Sequence, residues 1–179
     1  WLDIAASVLA SGKSSRLFKK LVYEKQICTS AQAFNGTSEI GGTFTVMANV
    51  KKGKSVEEVE AAINEILGDF LRNGPTEEEM KRVKASYFAG FIKGLERIGG
   101  FGGKSDLLAE NEVFGGNADY YKKTLRWLND ASAREVQMCA KQWLSDGCFT
   151  LICNPFPEYT VTGTEADRSK VPEVNKNVA

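Results

Sequence analysis

The stretch that most constrains the fold is Ser11–Phe34, which reads SGKSSRLFKKLVYEKQICTSAQAF. A short turn that contains Gly12 opens it. Apolar residues then recur at helical spacing, which predicts a helix that runs from Arg16 and ends near Gln26. The next residues, Ile27–Phe34, are small and alternate in polarity, as in a half-buried strand. We therefore expect a turn–helix–strand unit whose apolar face is covered by another part of the chain.

A second strand is expected directly after this unit. Asn35-Gly36-Thr37 is a turn signal. Residues Gly41–Val50 then alternate in polarity. One predicted face is apolar and consists of Phe44, Val46, Ala48 and Val50. Two strands joined by a short turn predict an antiparallel hairpin, and its apolar face requires helices against it.

Amphipathic helices are predicted for most of the remaining sequence. Capping boxes at Ser55–Glu58, Thr76–Glu79 and Ser132–Glu135 each indicate a helix start, and helical periodicity follows each of them. Cys148–Cys153 is an apolar run of β type, which predicts a third strand returning to the sheet. The order of elements predicts an α+β fold, in which an antiparallel sheet has several helices packed on one face.

The domain prediction follows from where this periodicity stops. We expect residues 1–155 to form one domain, because 179 residues suffice for a domain with a real core. Residues 156–179 are polar and aperiodic, and we expect a linker or tail there.

Charge and histidine content exclude several classes of function. Lys and Arg together number 23, as do Asp and Glu, and this balance disfavours a nucleic-acid groove or a polybasic membrane patch. The chain contains no histidine. A Ser-His-Asp or Cys-His site needs an imidazole, and most zinc hydrolase sites use at least one. Those sites are therefore not expected here, and we assign no metal-binding residue to this chain. A histidine-free pair of carboxylates acting as general acid and base stays open, but we assign no catalytic residue.

The cysteines and two glycine-lysine pairs are read as structural. The cysteines lack the spacing of a metal site, and we interpret them as small buried hydrophobic residues: Cys28, Cys139, Cys148 and Cys153. Gly12-Lys13 and Gly103-Lys104 suggest a phosphate loop that would bind a nucleotide. Neither pair has the glycine five residues before its own glycine, or the preceding strand, that such a loop requires. A turn at Gly12 and a joint or close helix crossing at Gly99–Gly103 are the favoured interpretations.

Three separated stretches resemble the M16 zinc peptidases, the family of pitrilysin and the mitochondrial processing peptidase. They are residues 12–30, 74–79 and 94–104, and they occur in the family's order. The resemblance is to the half-domain that lacks the zinc motif. It implies an M16 half-domain fold with further strands upstream of Trp1, so the sheet is expected to lack its N-terminal strands here.

The resemblance also bears on catalysis. In this family one half-domain holds zinc with an inverted His-x-x-Glu-His motif, and the other often supplies an Arg and a Tyr that reach the substrate. Aligning Glu24-Lys25 with the family's Glu-Lys places Val22 at the Arg position and Thr29 at the Tyr position. Neither side chain replaces those groups, so no catalytic residue is carried over and the substrate-binding residues stay unknown.

The expected function is that of a non-catalytic half-domain in a zinc metalloendopeptidase. It would form part of the substrate chamber and support the zinc-bearing half, which is either in the same parent chain or in a partner subunit. No cofactor is expected in this chain, and zinc is expected in the partner half-domain. The alternative is a structural or assembly subunit of the same fold, whose parent has no peptidase activity. Family resemblance suggests the bacterial periplasm or cytoplasm and leaves the compartment unknown.

Overall fold

The structure of the chain is a computed structural model that describes residues 1–155. Its first compact unit is Trp1–Cys148. Residues 149–155 belong to a second unit and contain neither helix nor strand. The predicted tail, 156–179, lies outside the described residues, and the boundary at residue 155 stays a prediction.

The elements of the first unit are two strands, one π-helix and six α-helices. In chain order they are α1 (Leu2–Ala10), the π-helix (Phe18–Glu24), β1 (Cys28–Thr37), β2 (Gly42–Val50), α2 (Val56–Asn73), α3 (Glu77–Gly94), α4 (Lys104–Gly115), α5 (Tyr120–Asp130) and α6 (Ala133–Leu144). The strands form an antiparallel two-stranded sheet. This confirms the α+β fold with an antiparallel sheet. No helix of the described residues is long and apolar enough to cross a membrane.

The core is built around α1, which is apolar on almost every side. Its residues Ile4, Ala5, Ala6, Val8 and Leu9 are all buried, because β1, α3 and α6 all contact it. A helix that is hydrophobic all round is stable in water only when neighbours cover it in this way.

The hairpin has one covered face and one open face. The inner face packs against the core. On β1 it consists of Cys28, Ala31 and Ala33, and on β2 of the predicted apolar residues Phe44, Val46, Ala48 and Val50. The opposite face is formed by four cross-strand pairs, Ser30–Asn49, Gln32–Met47, Phe34–Thr45 and Gly36–Thr43. We call these eight residues the outer face. The predicted alternation along β2 is thus confirmed.

The predicted hairpin turn at Asn35-Gly36-Thr37 is wrong by several residues. β1 continues through Thr37, which pairs with Gly42, and the turn is closed by the Ser38 N–H donating to the Gly41 carbonyl at 2.8 Å. A Cβ at Gly42 would lie 2.7 Å from the Gly36 oxygen. The ladder therefore extends to Gly42, where the absence of a side chain lets the two backbones approach closely.

The predicted third strand at Cys148–Cys153 is also wrong. This segment is not a strand, and the sheet of the described residues has β1 and β2 only. Cys148 and Cys153 are exposed, whereas Cys28 is buried and Cys139 is half-buried. The reading of all four cysteines as buried is therefore wrong for two of them. A run of residues with high β propensity forms a strand only where it can pair with another strand and pack one of its faces, since β propensity depends on context.

Two of the three predicted capping boxes are complete. The hydroxyls of Thr76 and Ser132 each accept a hydrogen bond from the backbone N–H three residues later. The carboxylates of Glu79 and Glu135 in turn accept from the backbone N–H of Thr76 and Ser132. Ser55 accepts from the Glu58 N–H at 3.2 Å and its hydroxyl donates to Glu57, so this cap lacks the reciprocal bond.

Candidate functional site at the helix-to-strand junction

Residues 16–30, here called the junction, join the first turn of the chain to the hairpin. Arg16 anchors its start. The guanidinium donates from Nε and Nη2 to both carboxylate oxygens of Glu79, each at 2.7 Å. It also donates to Asp69 at 3.0 Å and to the Gly74 carbonyl at 2.8 Å. One side chain thus ties the junction to the end of α2 and the start of α3.

The Arg16–Glu79 pair lies mostly out of water. The side chains are 17% and 20% exposed, and the guanidinium lies 5.3 Å from the ring centroid of Phe70, within cation–π range. Burial alone would raise the pKa of Glu79, but bonds from Arg16 and from the Thr76 backbone hold it below its usual value. The bond to Glu79 raises the pKa of Arg16 despite the opposing effect of burial. Both groups are therefore charged at neutral pH.

The helical part of the junction is a π-helix rather than the α-helix that periodicity predicted. The Lys25 N–H donates to the Lys20 carbonyl, five residues back, at 2.9 Å. The wider turn directs Leu21 into the core, leaves Val22 half-buried against it, and exposes Tyr23. π-Turns are rare and often occur at functional sites.

A left-handed residue ends the π-helix. Gln26 has φ 51°, and no other non-glycine residue of the described chain has a positive φ. The next residue, Ile27, is buried and its N–H donates to the Leu21 carbonyl at 3.0 Å. A left-handed residue followed by a buried apolar one is the usual helix stop, although glycine normally occupies it. The position of Gln26 therefore carries backbone strain of about 1 kcal/mol.

A β-bulge follows three residues later. Cys28 pairs with Val50 and Ser30 pairs with Asn49, so Thr29 is the extra residue on β1. Its hydroxyl donates to the Asn49 carbonyl at 3.3 Å. Bulges occur next to active sites, where they change the direction of a side chain.

The two positions singled out from the sequence therefore lie at the two backbone irregularities. Val22 is within the π-helix and Thr29 is the bulged residue. Val22 offers no hydrogen bond, and the Thr29 hydroxyl already has a backbone partner. Val22 and Thr29 can therefore shape and line a surface, and neither presents a charged or phenolic group to it.

The two glycine-lysine segments hold no phosphate loop in the structure. The N–H groups of Lys104 and Ser105, at the start of α4, donate to the carbonyls of Arg97 and Ile98 at 2.9 and 3.3 Å. In the other segment, the Ser15 N–H and hydroxyl both bond the Gly12 carbonyl. These donors are already engaged within the chain, which favours the structural reading of both segments.

The glycine segment forms a tight loop between α3 and α4, and its role as a joint stays a prediction. A Cβ on Gly103 would lie 2.7 Å from the Gly99 oxygen, so the loop from 99 to 103 closes on itself. Gly103 is buried, while Ile98 and Phe101 are exposed.

No metal centre was found among residues 1–155, where no group of three or more His, Cys, Asp and Glu side chains could hold an ion. Three acidic residues begin α3. Glu77 and Glu78 are exposed, as in a solvated first turn, whereas Glu79 is half-buried and bonded to Arg16. The Arg16–Glu79 pair was not predicted from the sequence. The one local signal for it is that the capping-box glutamate directly precedes the buried residues of α3, which indicates that Glu79 is partly covered.

Comparison with known proteins agrees with this architecture. Residues 1–87 match the family model described as the peptidase M16 inactive domain, and this range contains the junction and the hairpin. No curated protein sequence matches the chain.

Solved structures of similar fold include three bacterial proteins. A protease from Helicobacter pylori superposes with a TM-score of 0.69 and 21% identity, over 80% of this chain and 34% of that one. The inactive peptidase domain of a Bordetella parapertussis protein described as a zinc protease superposes with a TM-score of 0.67 and 20% identity, over 80% of this chain and 75% of that one. A peptidase M16 inactive domain from Pseudomonas fluorescens superposes with a TM-score of 0.61 and 14% identity, over 78% of this chain and 32% of that one.

At these identities the superpositions show a shared fold. The chain spans about a third of the length of the Helicobacter pylori protease and three quarters of the Bordetella parapertussis domain. The family match covers residues 1–87, and the superposition on the Bordetella parapertussis domain covers 80% of the chain: this chain is similar in sequence to the peptidase M16 inactive domain and has the fold of such a half-domain.

Proposed function

We propose that this half-domain forms part of the substrate chamber of a zinc metallopeptidase and supports the zinc-bearing half during peptide hydrolysis. The observation that carries the proposal is the match of residues 1–87 to the inactive domain, combined with the junction it covers. There the backbone irregularities surround Val22 and Thr29, two side chains that can line a wall but cannot act on a peptide bond.

The residues of this chain do not fit zinc. A catalytic zinc site uses three protein ligands, commonly with two or three histidines, and the chain has none. The described residues also lack an acidic or thiolate cluster that could replace them. Zinc would therefore be held by the partner half, where it would activate water for hydrolysis.

The rigidity of the wall would come from Arg16 and its hydrogen-bond partners Glu79, Asp69 and Gly74, here called the hub. It connects the junction to α2 and α3 through four hydrogen bonds to Glu79, Asp69 and Gly74. A wall that keeps its shape preserves the position of an extended peptide relative to a reactive centre on another domain.

The test is reconstitution. The chain is produced alone and together with the zinc-bearing half of its parent, and zinc content and cleavage of a fluorogenic peptide are measured. We expect no stoichiometric zinc and no cleavage from the chain alone, and cleavage by the pair well above that of the zinc half alone. Zinc bound by this chain would contradict the proposal. An inactive, zinc-free pair would favour the assembly subunit instead.

A further inference from the structure

The outer face of the hairpin is unusual because it carries no charge. Glu39 is the only charged residue between Ile27 and Val50 in a chain that is 26% charged, and it lies in the turn. Phe34 and Met47 are 46% and 47% exposed on this face. Strands at the edge of a sheet usually carry charged residues, which prevent unwanted pairing, and both strands of the described sheet are edge strands.

The dimensions of this face limit what can cover it. Ser30 to Gly36 span roughly 20 Å at about 3.3 Å per residue, and two strands about 5 Å apart present a strip roughly 10 Å wide. The strip therefore offers on the order of 200 Å², whereas a stable dimer interface needs about 800 Å² from each partner. A second copy of the chain or a whole domain would need far more surface than this. A single extended chain fits its length and width.

The polar groups of the face are amides and hydroxyls. Gln32, Thr43 and Thr45 supply them beside the apolar surface, and Ser30 and Asn49 are bonded to each other at 2.7 Å. Such groups hydrogen-bond a peptide backbone but provide no counter-ion for a charged side chain. A ligand ammonium or carboxylate covering Phe34 and Met47 would lose water without gaining a partner.

We propose that the outer face is a docking strip for an extended peptide segment of uncharged residues. This inference rests on the proposed function, because it assigns to the chamber wall the class of peptide that the wall accepts. The strip selects against charge by desolvation and tolerates differences among neutral side chains.

The test uses the 179-residue chain labelled with ¹⁵N and three ten-residue peptides. One peptide contains only Ser, Thr, Gln and Val, and the other two carry two Glu or two Lys in place of two Gln. We expect the neutral peptide to shift the amide signals of outer-face residues, and to bind at least tenfold more tightly than either charged peptide. Equal binding of all three peptides, or shifts confined to other surfaces, would overturn the proposal.

Matched variants locate the site. Met47→Lys places an ammonium in the strip, and Met138→Lys makes the same change on α6, where the methionine is 59% exposed. We expect the first to weaken neutral-peptide binding at least tenfold and the second to leave it unchanged. Thr45→Lys replaces Met47→Lys if the latter does not fold. Equal effects of Met47→Lys and Met138→Lys on peptide binding would overturn the assignment.

Two further outcomes are informative. Concentration-dependent shifts of the outer face without peptide would identify a second copy as its occupant and reject the peptide. The reconstitution experiment above reports zinc and cleavage, not binding to the isolated chain, so failure of the proposed function and failure of this docking strip are read separately.

Discussion

Replacing Arg16 tests whether the hub holds the junction to the helices. Arg16→Leu keeps apolar cover for Phe70 but removes both bonds to Glu79 and those to Asp69 and Gly74. Breaking a fully buried ion pair costs about 3–5 kcal/mol. The Arg16 and Glu79 side chains keep about a fifth of their exposure, and Asp69 is 51% exposed, so that contact adds about 0.5 kcal/mol or less. We expect a loss of about 2–3 kcal/mol.

The assay is urea unfolding followed by circular dichroism, with the free energy taken by linear extrapolation. Arg134→Leu, at an exposed position on α6, is the matched control and is expected to change stability by less than about 0.5 kcal/mol. Arg16→Lys keeps the charge but not the two-pronged geometry, so it should be intermediate. A double-mutant cycle with Glu79→Leu should give a coupling energy above about 1 kcal/mol.

The same pair predicts a dependence on pH. The pKa of Glu79 is lower in the folded chain than in the unfolded one, so its contribution is present above the unfolded pKa of about 4.3 and is lost as pH falls through the folded pKa. Acid should therefore destabilise the wild type more than Arg16→Leu. The reasoning is refuted if Arg16→Leu behaves like Arg134→Leu, or if both proteins lose stability equally below pH 4.

Three further substitutions test the backbone geometry by the same unfolding assay. Gln26→Gly should stabilise the chain by about 0.5–1 kcal/mol because it relieves a positive φ, and Gln26→Ala, which keeps a Cβ, should give no gain. Gly103→Ala should destabilise by about 1–3 kcal/mol, since its Cβ would meet the Gly99 oxygen at 2.7 Å. Gly90→Ala, in α3 with open space around its Cβ, is the control and should stabilise by up to about 1 kcal/mol; equal effects at both glycines would contradict the close approach. Ser132→Ala removes the cap of α6 and should cost about 1 kcal/mol, and an unchanged midpoint would show that the cap contributes nothing.

Local signals in the sequence predicted much of the fold. The starts of α3 and α6 follow from their capping boxes, because a cap is satisfied within four residues. The inner face of β2 follows from alternation, since Phe44, Val46 and Val50 all pack against the core. These features depend on residues that are close in sequence.

The errors concern features set by distant contacts. Arg16 and Glu79 are separated by 63 residues, and no local pattern pairs them. Trp143 continues the helical apolar periodicity of α6 and is nevertheless exposed, whereas Val136 and Ala140 on the same helix are buried. Periodicity alone does not separate them, because the contacts of α6 with α1 and α2 determine which of its apolar residues are covered.

The backbone of the junction is irregular at both Val22 and Thr29. The extra residue in the π-helix turns Val22 towards the core and Tyr23 outwards, and the extra residue in β1 leaves Thr29 outside the regular pairing. Each irregularity costs regular hydrogen bonding, and Gln26 adds strain between them, while Val22 gains only partial burial and Thr29 only one bond to the Asn49 carbonyl. What does depend on them is the path of the chain: the buried Leu21 and Ile27 meet across the left-handed stop, and β1 enters the hairpin with its neutral face outwards. The irregular backbone is therefore explained by the hairpin that it positions rather than by the two side chains that it presents.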